Sequence, residues 1–321
     1  MNPPAGGPPD LRQRLRRPGD ALPLASIATV PILWNNVDVE ELRMGTDAGT
    51  LLDEIARLGY EGCQLGLGFP EGDALREMLA GRGLRLAEVY AALPATPSGL
   101  TDDALAIGRE RLRLLHEAGG DVLCVALDGT HDRERWAGRA ADDRTPRFTD
   151  EAWRGLADVL HELADETIRA GHRLAFHPHA GTYVETPAEV DRLVAVTDPA
   201  RIGICLDVGH YLVGGGDPVE ALGRLGERVT HVHLKDVDPT VLARMAAGDI
   251  ADFGDAVRAR VFTELGSGAL DLIGCLRVLD ARRYAGWLMV EQDSSWPPPS
   301  EAAAIGRRVL ALALAMVGSD V

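Results

Sequence analysis

A chain of 321 residues with 46% apolar side chains can bury a sizeable core, and its formal net charge of −16 would repel a phosphate backbone, which sets nucleic acid aside as a partner. Its four cysteines, Cys63, Cys124, Cys205 and Cys275, lie far apart, two of them inside apolar runs. That usage fits reduced thiols in a reducing, cytoplasmic compartment.

Residues 1–22 hold Pro, Gly and Arg without an apolar h-region, so a flexible tail is expected there rather than a signal peptide. From residue 23 to 321 short β-like runs alternate with helix-period segments, the pattern of βα units around a parallel sheet. Eight runs follow one another: IATVPIL from Ile27, YEGCQLG from Tyr60, LRLAEVY from Leu84, DVLCVAL from Asp121, HRLAFH from His172, RIGICLD from Arg201, VTHVHL from Val229 and WLMVE from Trp287. Between them, stretches such as GTLLDEIARLG and EAWRGLADVLHELADETIRAG are amphipathic and end in the glycine expected just past a helix. The late run VLALALAMVG from Val309 is about half the ~20 residues needed to span a bilayer, so a soluble protein without a membrane partner is expected.

No linker divides residues 23–321, which predicts a single α/β domain, a (β/α)8 TIM barrel. A doubly wound open sheet is the alternative, but no G-x-G-x-x-G follows the first strand. Two connections are unusually long, one with DGTHDRERWAGRAADDRTP before the fifth strand and one with VDPTVLARMAAGDIADFGDAVRAR after the seventh. They are either substrate-covering loops or surface excursions.

Four late strands each end in a residue able to bind a metal: His177, Asp207, His233 and Glu291. In a barrel all strand C-termini meet on one face, so these side chains converge although they are distant in sequence. Singly each has a plainer reading: Asp207 a turn cap, His233 a satisfied core histidine, Glu291 the partner of an arginine. Together they predict a site for a divalent cation. Mixed nitrogen and oxygen donors suit Mn2+, Co2+, Zn2+ or Fe2+ better than Ca2+.

The segments VPILWNN, EGCQLG, HPHAGTYVET, LDVGH, HVHLKDV, FTELGSGALD and GWLMVEQD, spread over nearly all of the chain after residue 22, resemble the xylose isomerase-like barrel superfamily of sugar isomerases and epimerases. Within it, HPHAGTYVET with the late GSG and VEQD segments is most similar to inosose (2-keto-myo-inositol) dehydratases. The resemblance implies a metal, Mn2+ or Co2+ first and Zn2+, Mg2+ or Fe2+ otherwise, held by Asp207, His233 and Glu291. His177 stands where many superfamily members have glutamate, and its role is ligand, base or hydrogen-bond donor. That departure argues against a simple ketose epimerase, which uses opposed carboxylates on strands five and eight. A homo-oligomer is also implied, though no sequence feature specifies one.

Catalytic roles are expected for His177, His210 and Glu291, since elimination needs a base and an acid close to the ring and imidazole serves either. Substrate contacts are expected from Trp34 and Asn35 after the first strand, Gln64 after the second, His179, and Lys235, which alternatively pairs with Asp236 or Asp238. Tyr90 is either a pocket or a core residue. The function expected is dehydration of a cyclic polyol ketone through an enediolate. The alternatives are an epimerase or isomerase on the same site, elimination on an oxidised glycoside, a DNA-repair endonuclease, which the charge opposes, or a barrel that binds sugar without catalysis.

Overall fold

In the computed structural model, which describes residues 19–319, each of the eight runs overlaps one parallel strand: β1 (Ser26–Thr29), β2 (Gly62–Gln64), β3 (Arg85–Leu93), β4 (Val122–Leu127), β5 (Arg173–Phe176), β6 (Ile202–Asp207), β7 (Val229–Leu234) and β8 (Trp287–Val290). Every strand bonds to its sequence neighbours and β1 also pairs with β8, so the sheet closes into a barrel and the open-sheet alternative falls away. Strands covered on both faces need apolar residues throughout, and VLCVAL and IGICLD supply them: β4 and β6 are buried at every position.

Two layers hold the barrel together. Small interior residues, among them Ala28, Cys124, Ala175 and Cys205, pack with Trp287 and Met289 inside the strands. A larger cluster joins the outer strand faces to the helices. The helix Asp150–Arg169 shows how the sequence builds that layer: Thr149 caps it by accepting from the Ala152 amide, and Trp153, Leu156, Leu160 and Leu163 are buried along one side. Each such side chain contributes roughly 1.5–3 kcal/mol on leaving water. All four cysteines are free and buried.

Residues 1–18 of the expected tail lie outside the described residues, but Ala21 and Leu22 are buried, and the Leu22 amide donates to Asp280 Oδ1 at 2.6 Å. The apolar run from Val309 is the second half of a 21-residue helix, Pro299–Ser319, long and apolar enough to cross a membrane by length and composition. Half of its most apolar stretch is buried in the body, with Leu310 and Leu314 fully enclosed, which is the behaviour of a core helix.

The two long connections meet above the strand C-termini. Ala137 from the first packs with Val241, Met245, Ile250, Phe253 and Val257 from the second in a separate apolar cluster. A ribbon of Asp236–Val237 against Phe262–Thr263 frames the second connection.

Candidate active site

Side chains on a strand alternate between faces, so interior positions recur every second residue and form ascending layers. On β7 and just beyond it His231, His233 and Lys235 share the interior face. On β6 Asp207 follows Cys205, and after β5 His177 follows Ala175. Glu291 follows Met289 in the same way. The register completes the layer, because Asp207 pairs with His233 across β6–β7 and Met289 pairs with His233 across β8–β7.

The four strand-end residues meet as expected. Donor atoms of His177, Asp207, His233 and Glu291 all lie within 4.8 Å of one another. Asp207 has divided duties: Oδ1 accepts from the His210 amide and caps the short helix Val208–Val213, while Oδ2 is buried without a hydrogen-bond partner among the described residues. That free oxygen lies 3.6 Å from His177 Nε2 and 3.8 Å from His233 Nδ1. Such gaps are too wide for hydrogen bonds but close to the roughly 3.4 Å edge of a tetrahedron with metal–ligand bonds of about 2.1 Å. The donors and the orphaned oxygen together fit a divalent cation. Asp207 is therefore both cap and candidate ligand.

Lys235 is 1% exposed and is surrounded by acids, with Nζ 2.8 Å from Glu291 Oε1, 3.0 Å from Asp293 Oδ1 and 3.6 Å from Asp207 Oδ2. Burial opposes its charge, but Asp293, Glu291 and Asp207 outweigh that and raise its pKa. It pairs with neither of its sequence neighbours. Asp236 accepts instead from the Gly266, Gly268 and Leu270 amides, folding the GSGAL segment around its carboxylate, and Asp238 caps the helix Pro239–Ala247.

These groups open onto a cavity of about 380 Å³, lined by His177, His179, His233, Lys235, Glu291 and Asp293 together with Gln64 and Tyr90. Its volume lies within the range of about 300–1,000 Å³ usual for small-molecule sites. Tyr90 stands edge-on to His177, with ring centres 5.9 Å apart. Asp128 and Glu134 from the first long connection and Phe253 and Val257 from the second also line the cavity, so both connections border the site.

His179 reaches the wall because the HPHAGTYVET segment folds back on itself: the Gly181 amide donates to Glu185 Oε2, and Gly181 takes φ +79°, a conformation open to glycine at no steric cost. The Nδ1 of His179 lies 2.8 Å from the Ala180 carbonyl, which can only accept, so the proton is on Nδ1 and Nε2 is bare. Burial, followed by the nearby charges of His177 and Lys235, lowers its pKa to about 3 and keeps the ring neutral.

Three expected contacts do not reach the cavity. Pro31 ends β1 in a short 3-10 turn, Pro31–Leu33, which carries Trp34 into the core, where its Nε1 donates to Glu54 Oε2 at 2.8 Å. Asn35 bonds the backbone of Thr46 with both ends of its amide. His210 lies behind Lys235: its Nδ1 accepts from the Ala180 amide, its Nε2 is 3.1 Å from Lys235 Nζ, and it lines no part of the cavity. Conversely, sequence reasoning passed over Asp293, two residues past Glu291 on the same face, and Glu88. Glu88 is a fully buried acid in the otherwise apolar LRLAEVY run, and that anomaly was its signal.

Comparison with known proteins bears on the family and the fold. The chain is 33% identical over 289 residues to an inosose dehydratase of Geobacillus thermodenitrificans (strain NG80-2), spanning 88% of this chain and 95% of that protein. It is 37% identical over 297 residues to the rhizopine catabolism protein MocC of Rhizobium meliloti, covering 91% and 89% respectively. Among solved structures it is similar to an L-ribulose 3-epimerase with a TM-score of 0.70 and 18% identity, over 92% of this chain and 96% of that one. Residues 52–312 match the family described as the xylose isomerase-like TIM barrel, and the chain belongs to that family.

Proposed function

We propose that this chain is a divalent-metal-dependent carbon–oxygen lyase that removes water from a cyclic polyol ketone of the 2-keto-myo-inositol type. The observation that carries the proposal is the convergence of His177, Asp207, His233 and Glu291 beside a cavity that also presents a protonated amine and a neutral imidazole. Relatives called inosose dehydratase, matched along most of their length, support the substrate class. When bound by those four residues, a divalent ion supplies Lewis acidity to the ketone oxygen, an effect of several kcal/mol. The resemblance to inosose dehydratases makes Mn2+ or Co2+ the first expectation, ahead of Zn2+, Mg2+ or Fe2+, within the range this mixed donor set allows.

The remaining chemistry falls to the chain's own groups. Dehydration takes a proton from the carbon next to the ketone and expels the hydroxyl one carbon further on. His179 presents to the cavity an Nε2 left bare by the bond to Ala180 and is the group placed to accept the proton, against the low basicity that burial gives it. The electron pair of the broken C–H bond becomes the new C=C bond as the C–O bond breaks, and the resulting enol, which keeps the hydroxyl of the former α-carbon, tautomerises to the dione. Lys235 donates a proton to the departing oxygen, which leaves as water, and Glu291 and Asp293 keep the amine charged until then. Tyr90, Phe253 and Val257 exclude bulk water around the ring. In this scheme His177 is a metal ligand, and His210 lies behind Lys235.

The test is turnover of 2-keto-myo-inositol by the metal-loaded protein, followed through ultraviolet absorbance of the dione and repeated with Asp207→Ala and Glu291→Ala. Dione formed by the native chain and abolished in both variants is the expected result. Bound metal without dione overturns the substrate assignment. Exchange of substrate hydrogen with deuterated solvent in the absence of dione would then identify an epimerase or isomerase.

A further inference from the structure

Below the four converging residues the barrel interior holds a second polar layer. Glu88 lies on β3 on the same face as Tyr90 and Ala92, one step deeper, and is completely buried. Its Oε2 is 2.8 Å from Nε2 of His231 and 3.1 Å from Nε2 of His233. An ionised carboxylate only accepts, so both Nε2 atoms carry protons. In His233 the other ring nitrogen, Nδ1, faces Asp207 at 3.8 Å and donates to Glu291 at 2.5 Å, so the proton there, unlike the one held by Glu88, is the one a cation would displace.

We infer that Glu88 is a positioning residue for the metal centre: it holds the Nε2 proton of His233, fixes the ring plane and so selects Nδ1 as the ligand atom, with His231 as a second arm that keeps the carboxylate from turning. This inference rests on the metal reading given under Proposed function. A ring nitrogen backed by a carboxylate is also a stronger donor to a cation than one backed by water.

A plain core ion pair explains the arrangement less well. Buried charges add little stability over apolar residues of similar size. Moreover, Glu88 Oε1 is buried without a hydrogen-bond partner among the described residues, a cost that a purely structural group would not retain. The carboxylate is placed instead where its charge acts on one ring, and that ring is the one shared by the converging set.

The experiment strips the full chain with a chelator and titrates it with Co2+, and with Zn2+ against a competing chelator, in the native protein, Glu88→Gln and His231→Gln. Glu88→Gln is expected to bind both ions about 10- to 100-fold more weakly and to shift the visible Co2+ spectrum. His231→Gln, which leaves the bond to His233 in place, is expected to lose less. Native affinity and an unchanged Co2+ spectrum in Glu88→Gln would overturn the inference, whatever happens to the melting temperature. If that variant fails to fold, histidine 15N NMR of the zinc-loaded native chain decides: His233 protonated at Nε2 and zinc-bound at Nδ1 supports it, and the opposite tautomer overturns it. A native chain that takes up neither ion would overturn the metal reading itself, a result distinct from equal binding by Glu88→Gln.

Discussion

The ammonium of Lys235 stands 2.8 Å from Glu291 and 3.0 Å from Asp293, enclosed so fully that only 1% of the residue is exposed. One amine thus joins a candidate metal ligand to a second acid at the cavity wall. Lys235→Met keeps most of the side-chain length and removes the proton donor. The four candidate ligands are untouched, so metal affinity should remain within a few-fold of native. Dione formation should fall by about 10²- to 10⁴-fold, the usual contribution of a general acid. The metal-free variant should also melt earlier, because Glu291 and Asp293 lose their shared counter-charge. Unchanged turnover at saturating substrate would remove Lys235 from the chemistry.

Glu185 makes stability depend on pH. Burial raises its pKa from 4.5 to about 7, and Arg133 and the amides of Gly181 and Gly138 offset this only in part. Because the folded-state value is the higher one, the group's contribution is fully present below 4.5 and is lost as pH rises through about 7. The loss is on the order of 3 kcal/mol across that window. Glu185→Gln has no such proton to release, so urea unfolding of the variant should gain on the native chain steadily from pH 5 to pH 8. Parallel pH profiles would contradict this account.

Trp34 and Gln64 were grouped as substrate contacts on sequence grounds, and the structure separates them. Trp34→Phe should leave the KM for the polyol ketone unchanged while costing about 1 kcal/mol of stability through the lost bond to Glu54. Gln64→Ala, at the cavity wall, should raise KM with little effect on folding. Steady-state kinetics beside thermal melts distinguishes the two, and a raised KM in Trp34→Phe would restore the discarded assignment.

Gly209, in the LDVGH segment, sits against Lys235. A Cβ at this position would lie 2.8 Å from the Lys235 carbonyl oxygen, Cβ and Cγ, closer than real contacts allow. Gly209→Ala should therefore displace Lys235, destabilise the chain by about 1–3 kcal/mol and lower turnover. A variant with native melting and native kinetics would show that the segment has slack the geometry does not reveal.

The barrel and its four converging residues were legible because both follow from periodic rules. A strand covered on both faces must be apolar, and closure brings strand ends together, so His177, Asp207, His233 and Glu291 could be placed without knowing any side-chain direction. The side chains that the structure places away from the cavity are those whose direction depends on a local turn. Pro31 bends the chain immediately after β1, so Trp34 and Asn35, one strand-step past the rim on paper, face helix and loop instead. His210 is placed by a similar turn: it enters a helical turn capped by Asp207 and ends up behind Lys235 rather than at the cavity wall. Glu88 was detectable as a lone charge in an apolar strand, but its partners lie 143 and 145 residues away, a pairing that no local pattern announces.

The roof above the cavity has its own apolar cluster, in which Ala137 from one long connection meets Met245 and Phe253 from the other, apart from the cluster that joins strands to helices. Ceiling and cylinder are therefore distinct clusters, joined through Leu212, which packs against both. The lengths and sequences of the two connections can drift together, reshaping the space over the ring, while the strand ends that carry the chemistry stay in register. Diversification of substrate in such a protein would proceed by paired exchange of connections, and a graft of either one alone would leave a half-filled seam where its counterpart should pack.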